Sequence, residues 1–435
     1  MESHNSQKER DKIAVIGLGY VGLPLAVMLA EKGFRVIGID RDANKVTMLQ
    51  QARSYIGDVS DSTLKALADT GRFQSTGDFD KLQEVNSIII CVPTPITVQK
   101  TPDLTYIISV GNDIQTRLHK GQLVILESST YPGTTTDVLL PILEKSGLTV
   151  GEDFFLANSP ERIDPGNDRY RVDEIPKVLG GTTENCLERA LSLYSQIYKQ
   201  VVPVSSTEAA ELTKLLENTF RFVNISFINE MAILCDQLKV NIWEVVAAAS
   251  SKPYGFTPFY PGPGIGGHCI PVDPFYLQWK LQEMKTSSHF ISVSDFINTR
   301  IIQYIVSRTE ELLKTKPLST AKVLLYGVTY KKDVADIRDA PNLQIIEQLM
   351  EKGAAVYYHD PYIPSIKVAN KDFSSIELTD ELISKMDCVI ILTDHSVLPL
   401  EQLLQQAPLV FDTRNVTLGK QGNATVVRLG DGTVL

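Results

Sequence analysis

The chain has 435 residues, 43% of them hydrophobic and 22% charged, with a formal net charge of −10. That length exceeds what one hydrophobic core organises and predicts two or three domains of an ordinary globular protein. The acidic balance argues against a nucleic-acid surface, and no apolar run approaches the roughly 20 residues that span a bilayer.

In chain order, MESHNSQKERDK comes first. It is polar, lacks the apolar stretch of a secretory signal and reads as a flexible tail over 1–11. In KIAVIGLGYVGLPLAVMLAEKGFRVIGIDRD (12–42), Ile13 to Ile16 reads as a buried parallel strand and Gly17, Gly19 and Gly22 give GxGxxG. A helical stretch follows to Gly33, and the apolar run Val36 to Ile39 ends at Asp40. A glycine loop between strand and helix, with an acidic residue about 20 positions on, is the context of a dinucleotide fingerprint. The glycines admit a pyrophosphate to the helix N-terminus, and Asp40 would accept from the ribose hydroxyls, which favours NAD. Arg41 leaves the NADP phosphate a possible partner.

SIIICVPTP (87–95) and QLVILESSTYPG (122–133) each read as a buried strand running into a loop. In a doubly wound sheet such loops line the ligand crevice; otherwise they are turns. Helical periodicity then runs for about 30 residues through 205–238, with Ser205 and Glu208 as a capping box. So long a helix bridges domains or packs on a partner subunit. Helical segments continue to about residue 313, and TKPLST (315–320) reads as a linker. The last segment repeats the first in outline: strand AKVLLYGV, helix NLQIIEQLMEKG, strand AAVYYHDP ending at Asp360, then DCVIILTDH and PLVFDTR, without GxGxxG. The expected fold is α/β, with two Rossmann-like doubly wound domains joined by a long central helix and helical connector. Its boundaries are 12–203 for the NAD domain, 204–314 for the central region and 318–435 for the second Rossmann-like domain.

Inside the central region, YPGPGIGGHCIPVD (260–273) sets Cys269 among glycines and prolines. The loop presents a nucleophile or is merely tight around an incidental thiol. The five cysteines (Cys91, Cys186, Cys235, Cys269 and Cys388) are scattered with no CxxC pair. That pattern fits reduced thiols of a cytoplasmic protein and gives no zinc or other metal site. A thiol beside a dinucleotide domain suits oxidation of an aldehyde to an acid. Thiolate addition creates the tetrahedral carbon that can give up hydride, leaving a thioester for water to hydrolyse.

GLGYVGLP (17–24), VPTP (92–95), ESSTYPGTT (127–135), NSPERIDPG (158–166), ELTKLLENTF (211–220), PGPGIGGHCIPVDP (261–274) and YKKDVADIRD (330–339) occur in that order. As a set they resemble the UDP-glucose/UDP-N-acetylhexosamine 6-dehydrogenase family, from about residue 12 to the C-terminus. The resemblance implies an enzyme, a homodimer or larger homo-oligomer, that oxidises the C6 hydroxymethyl of a UDP-sugar to a carboxylate with two NAD. By the same resemblance Cys269 is the nucleophile, with Asp273, Lys214, Asn218, Glu161 and Thr130 as catalytic companions. Lys214 and Asn218, four apart, share a helix face and could stabilise an oxyanion and a thiolate. The NAD set it implies is Gly17, Gly19, Tyr20, Val21, Gly22, Asp40, Arg41, Pro93, Thr94, Thr130 and Arg338. The substrate set is Glu161, Arg162, Lys214, Asn218, Phe259, Tyr260, Gly266, Lys331 and Arg414.

His268 before the cysteine departs from the UDP-glucose branch, and the GGHC form is most similar to UDP-N-acetylglucosamine 6-dehydrogenases. UDP-glucose, UDP-N-acetylgalactosamine and UDP-N-acetylmannosamine stay open as substrates. An imidazolium at His268 would lower the Cys269 thiol pKa if the two side chains met. Three rivals also stay open: a two-electron dehydrogenase of the 6-phosphogluconate type with a structural Cys269, an epimerase or reductase using Tyr276 and Lys280 as a Tyr-xxx-Lys dyad, and an NAD-sensing scaffold without turnover.

Overall fold

A computed structural model describes residues 11–97, 99–162, 171–314 and 316–434. The expected tail lies outside these residues except for Asp11, as does the IDPG part of NSPERIDPG. The chain divides into two compact units. The first runs up to Glu217 and includes Phe275–Thr286; the second comprises Asn218–Pro274 and the residues from Ser287 onward.

The first unit contains β1 (Lys12–Ile16), α1 (Gly22–Glu31), β2 (Arg35–Ile39), α2 (Ala43–Gln50), α3 (Asp61–Asp69), β3 (Phe73–Thr76) and β4 (Ser87–Ile90). It continues with α4 (Thr105–Gln115), β5 (Leu123–Leu126), α5 (Leu140–Leu143), β6 (Phe155–Asn158), β7 (Lys177–Gly181), α6 (Glu184–Tyr194) and β8 (Val201–Val204). β1 is apolar at successive positions because both faces of its sheet are covered. Ile13 and Val15 enter one core layer with Leu23 and Ala26 of α1, while Ala14 and Ile16 enter the other with Ile107 and Val110 of α4. Each isoleucine so buried contributes about 1.5–3 kcal/mol relative to exposure. Strand order is β3-β2-β1-β4-β5-β6-β7-β8, parallel except for the β6–β7 pair. The order reverses between β1 and β4, so the ligand crevice opens where Gly17 and Cys91 follow those strands.

The long periodic segment forms α7 (Thr207–Leu238), 32 residues and about 48 Å in length. Its cap differs from the expectation. Ser206 Oγ accepts the Ala209 N–H at 3.2 Å, whereas Glu208 accepts the Thr136 hydroxyl at 2.8 Å. With Thr207 as first helical residue, Ser205 stands one position too early to reach the third N–H.

The second unit holds most of α7, then α8 (Ile242–Ser250) and, after α9 (Asp273–Glu283), α10 (His289–Leu312), β9 (Lys322–Tyr326) and α11 (Pro341–Glu351). It ends with β10 (Ala355–His359), β11 (Ser365–Val368), β12 (Lys371–Ser374), α12 (Asp380–Ser384), β13 (Cys388–Ile391), α13 (Leu400–Gln406), β14 (Leu409–Asp412) and β15 (Thr425–Arg428). The sheet β10-β9-β13-β14-β15 is parallel throughout, and β11 and β12 form a separate antiparallel hairpin. Of the segment read as a linker, Leu318–Thr320 make a 3₁₀ turn with Leu318 in the core, and Lys316 pairs with Asp387 at 2.6 Å.

Both sheets use one piece of wiring. The N–H of Leu18, after β1, donates to Asp40 at the end of β2 at 2.8 Å; the N–H of Val328, after β9, donates to Asp360 at the end of β10 at 2.7 Å. Asp360 also meets His395 Nε2 at 3.2 Å and is buried. Among the described residues no helix is long and apolar enough to cross a membrane.

Candidate active site

The glycines after β1 do three different jobs. Gly17 has φ +91°, and a Cβ there would lie 2.5 Å from the Cys91 carbonyl oxygen. A Cβ at Gly22 would lie 1.9 Å from the Gly17 carbonyl, so helix and strand meet only without side chains. At Gly19 a Cβ would meet nothing within 4 Å. Packing within the chain does not demand a glycine there, and the open space above this backbone is what a pyrophosphate would use. No side chain caps the α1 N-terminus, where Val21 stands at the cap and Tyr20 is exposed. Asp40 takes Leu18 N–H on one oxygen and Asp42 N–H on the other at 2.9 Å, with Lys45 Nζ at 3.5 Å. Its orientation is therefore set by backbone donors. Arg41 turns to Asp113 and lies over the Phe79 ring, so its charge already has a partner. These residues fit a dinucleotide.

In the loop after β4, Pro93 is exposed and Thr94 buried. The Thr94 carbonyl accepts the Tyr276 hydroxyl at 2.6 Å, with the Pro95 carbonyl at 3.2 Å. Tyr276 is fully buried and donates to backbone, and Lys280 lies by Asp137 and Glu283. The Tyr-xxx-Lys dyad is thus overturned: its hydroxyl is spent on structure. In the loop after β5, Thr130 is 3.5 Å from Glu211 Oε1. Glu211, from α7, also accepts the N–H groups of Gly133 at 2.7 Å and Thr135 at 2.9 Å, tying this loop to the helix. Burial pushes the Glu211 carboxyl up to about 7 against the pull of those donors.

Glu161 follows β6 and is buried. One oxygen accepts the Arg162 N–H at 2.6 Å; the other lies 3.1 Å from Lys177 Nζ. Lys177 is also 2.7 Å from Glu127, whose second oxygen takes the Tyr194 hydroxyl. Arg162 is held by Glu217, at 2.6 Å, and by the Pro176 carbonyl. Lys214 on α7 is only 5% exposed, yet its ammonium makes no ion pair or side-chain hydrogen bond among the described residues.

In the second unit, Asn218 donates through Nδ2 to Asp273 and accepts through Oδ1 from Arg221; Asn218 and Asp273 are both buried. Asp273 opens α9, where a carboxylate is favourable, and its N–H and that of Val272 donate to the Cys269 carbonyl at 2.9 and 3.1 Å. Cys269 is half-buried on that turn. The glycines before it are dictated by close neighbours. A Cβ at Gly262 would lie 2.6 Å from Arg414 Nη1, one at Gly266 2.6 Å from Tyr330 Cβ, and one at Gly267 (φ +90°) 2.8 Å from the Tyr330 ring. Gly262 N–H donates to Asn229 and Ile265 N–H to Asn298, at 2.9 and 2.7 Å. Phe259 packs edge-on to Phe220, and the exposed Tyr260 stacks on Trp243. Arg414 pairs with Asp394 at 3.1 Å and Arg338 with Asp336 at 2.6 Å, while Lys331 is half-buried in the loop after β9. Burial, with Arg338 adding to it, holds His268 below the ordinary imidazole value. That direction disfavours an imidazolium beside the thiol.

Sequence reading missed Glu127, Lys177, Tyr194 and Glu211. A carboxylate directly after the apolar VIL of β5 was a readable signal for Glu127; the others become visible only through their contacts.

Three family models match the chain. They are the UDP-glucose/GDP-mannose dehydrogenase family NAD binding domain over 11–200, its central domain over 208–300 and its UDP binding domain over 324–418. A UDP-N-acetyl-D-glucosamine 6-dehydrogenase of Pseudomonas aeruginosa is 39% identical over 81% of this chain and 83% of its own. A UDP-N-acetyl-D-mannosamine dehydrogenase of Methanococcus maripaludis is 32% identical over 99% of this chain and 100% of its own. The solved UDP-D-ManNAc dehydrogenase of Pyrococcus horikoshii superposes with a TM-score of 0.87 at 30% identity, covering 97% of this chain and 100% of that one.

Proposed function

The chain belongs to the UDP-glucose/GDP-mannose dehydrogenase family and is an NAD-dependent oxidoreductase, and from that premise we propose that it oxidises C6 of a UDP-N-acetylhexosamine, UDP-N-acetylglucosamine first, to the uronic acid through a thioester on Cys269. The observation that carries this reading is Lys214, a side chain only 5% exposed whose ammonium makes no ion pair or side-chain hydrogen bond among the described residues, one helical turn from Asn218. Such a pair suits an oxygen that becomes anionic only during reaction, where each donor contributes about 2.7–4 kcal/mol. Identity to the Pseudomonas UDP-N-acetylglucosamine enzyme, 39% against 32% to the Methanococcus mannosamine enzyme, supports that substrate. The mannosamine epimer is the second reading, favoured by the full-length relative.

In this reading Gly17, Gly19, Gly22 and Asp40 hold NAD, which when bound supplies the hydride acceptor for both oxidations. The Cys269 sulfur adds to the C6 aldehyde; Lys214 and Asn218 bind the oxygen that gains charge. Loss of hydride from that carbon leaves the thioester. Water then adds, giving up its proton to Glu161 or Asp273, and the thiolate leaves. Lys331 and Arg414 would face the pyrophosphate of the substrate. An exposed apolar face on α7 (Leu212, Leu216, Phe227, Leu234) and another on α10 (Phe290, Val293, Phe296) support a homodimer. The five free cysteines and the NAD requirement support a cytoplasmic reaction.

The test is NADH formed per sugar, with limiting UDP-N-acetylglucosamine and excess NAD, on wild type and Cys269→Ser. Two NADH per sugar, with the variant unable to complete turnover, is expected. One NADH per sugar, unchanged in the variant, would make Cys269 structural. No NADH here but two from the mannosamine epimer would transfer the reading to that substrate.

A further inference from the structure

Within the first unit, three ionisable groups from three strand ends converge in the interior. Glu127 follows β5, Glu161 follows β6 and Lys177 opens β7. Their exposures are 0%, 7% and 3%, and Lys177 Nζ bridges the carboxylates at 2.7 and 3.1 Å. Tyr194 of α6 donates to the remaining oxygen of Glu127, and the Arg162 N–H to that of Glu161. Two carboxylates around one ammonium carry a surplus negative charge when all are ionised. In a desolvated interior that surplus is cheapest to remove by one proton held between the carboxylates.

We propose that Glu127 and Lys177 are positioning residues for Glu161: the triad holds one proton between its two carboxyls and exchanges it through the lysine ammonium. This deepens the reading above and rests on Glu161 taking a proton from the attacking water. In the transfer, protonated Glu161 gives its proton to Lys177 Nζ as Lys177 gives one of its own to Glu127. The ammonium is restored and one proton has moved from Glu161 to Glu127. No other reactant is needed, and the distances are those of ordinary charge-assisted hydrogen bonds.

Among the described residues, groups facing the triad include Cys91 after β4, Tyr194, Tyr198 beyond α6, and Arg162. Burial pushes the Cys91 thiol and both phenols well above their ordinary values, so they stay neutral across the working range. Burial likewise raises the Glu127 carboxyl against the pull of Lys177. Arg162 pairs with Glu217 outside the triad. The Lys177 ammonium also lies 5.5 Å from the Tyr198 ring centroid, which keeps it charged in place.

A structural role and a protonic one give different signatures. Glu127→Gln removes the competing carboxylate and leaves Glu161 alone with the cation. Lys177→Met removes the cation. The acid limb of the kcat–pH profile should therefore move to lower pH in the first and to higher pH in the second, by about one unit each. Lys177→Arg should restore much of the wild-type limb. A folding defect would lower kcat without opposite shifts.

Infrared difference titration of the full chain, without substrate, decides the proposal independently of turnover. Wild type minus Glu127→Gln, and wild type minus Glu161→Gln, should each show the band of one protonated carboxyl near neutral pH. Glu211, present in all, cancels. Absence of that band from both differences overturns the shared proton. Its presence with a pH limb that does not move supports the shared proton and instead sinks the assignment of Glu161 to the attacking water.

Discussion

Gly19→Ala separates binding from folding more cleanly than any other change at the nucleotide crevice. Nothing in the chain lies within 4 Å of the added Cβ, and φ at Gly19 is not in the left-handed region that penalises alanine. Removing a glycine lowers the entropy of the unfolded chain, so stability should hold or rise by about 0.4–1 kcal/mol. If a pyrophosphate passes over this backbone, the methyl occupies its place and removes charge-assisted hydrogen bonds worth roughly 1.5–3 kcal/mol. That is about a ten- to hundred-fold rise in the NAD dissociation constant. Gly22→Ala is the contrast, since its Cβ would sit 1.9 Å from the Gly17 carbonyl and must disrupt the unit itself. Thermal midpoints without ligand, and NAD titrations by calorimetry, measure the two effects separately. NAD affinity unchanged in a stable Gly19→Ala protein would refute the pyrophosphate path.

Lys214→Met replaces a little-exposed lysine, without an ion pair among the described residues, by an apolar chain of similar length, so the folded state should be no less stable while kcat falls about a hundred-fold or more; denaturation midpoints and NADH initial rates check it, and retained turnover would remove Lys214 from the chemistry. Leu216→Asp with Phe227→Asp places charge on the exposed α7 face and should give a monomer in sedimentation, where wild type gives a dimer; a wild-type monomer would sink the homodimer.

What could be read without coordinates followed from local physics. The β1 strand, its glycine loop and Asp40 announce themselves because pleat, turn and helix terminus each demand particular residues in order. The repeat in the C-terminal half was visible in the same way, through apolar runs ending at the HDP step, which holds Asp360, and at the TDH step. What stayed hidden depends on partners far apart in sequence. β7 and β8 join the sheet only through one antiparallel pair, β6–β7. Lys177 reads as an ordinary lysine until Glu127 and Glu161, 50 and 16 residues away, are placed around it. Likewise the glycines before Cys269 gave away a tight loop, but not that Tyr330 and Arg414 are what they make room for. The cap of α7 shows the opposite error: the capping-box pattern points to Ser205 as the cap where its neighbour Ser206 holds that place, and only the helix start distinguishes them.

The shared wiring of Asp40 and Asp360 has a consequence for how one fold serves two ligands. In the first sheet the carboxylate remains half-buried at the crevice with backbone donors steering it. In the second, the N–H groups of Tyr362 and Ile363 and the His395 ring close around the equivalent carboxylate. The acceptor that a dinucleotide's ribose would seek is already consumed. Duplicated architecture therefore does not mean duplicated appetite: at the matching position the second sheet offers a dinucleotide's ribose a carboxylate that is already enclosed.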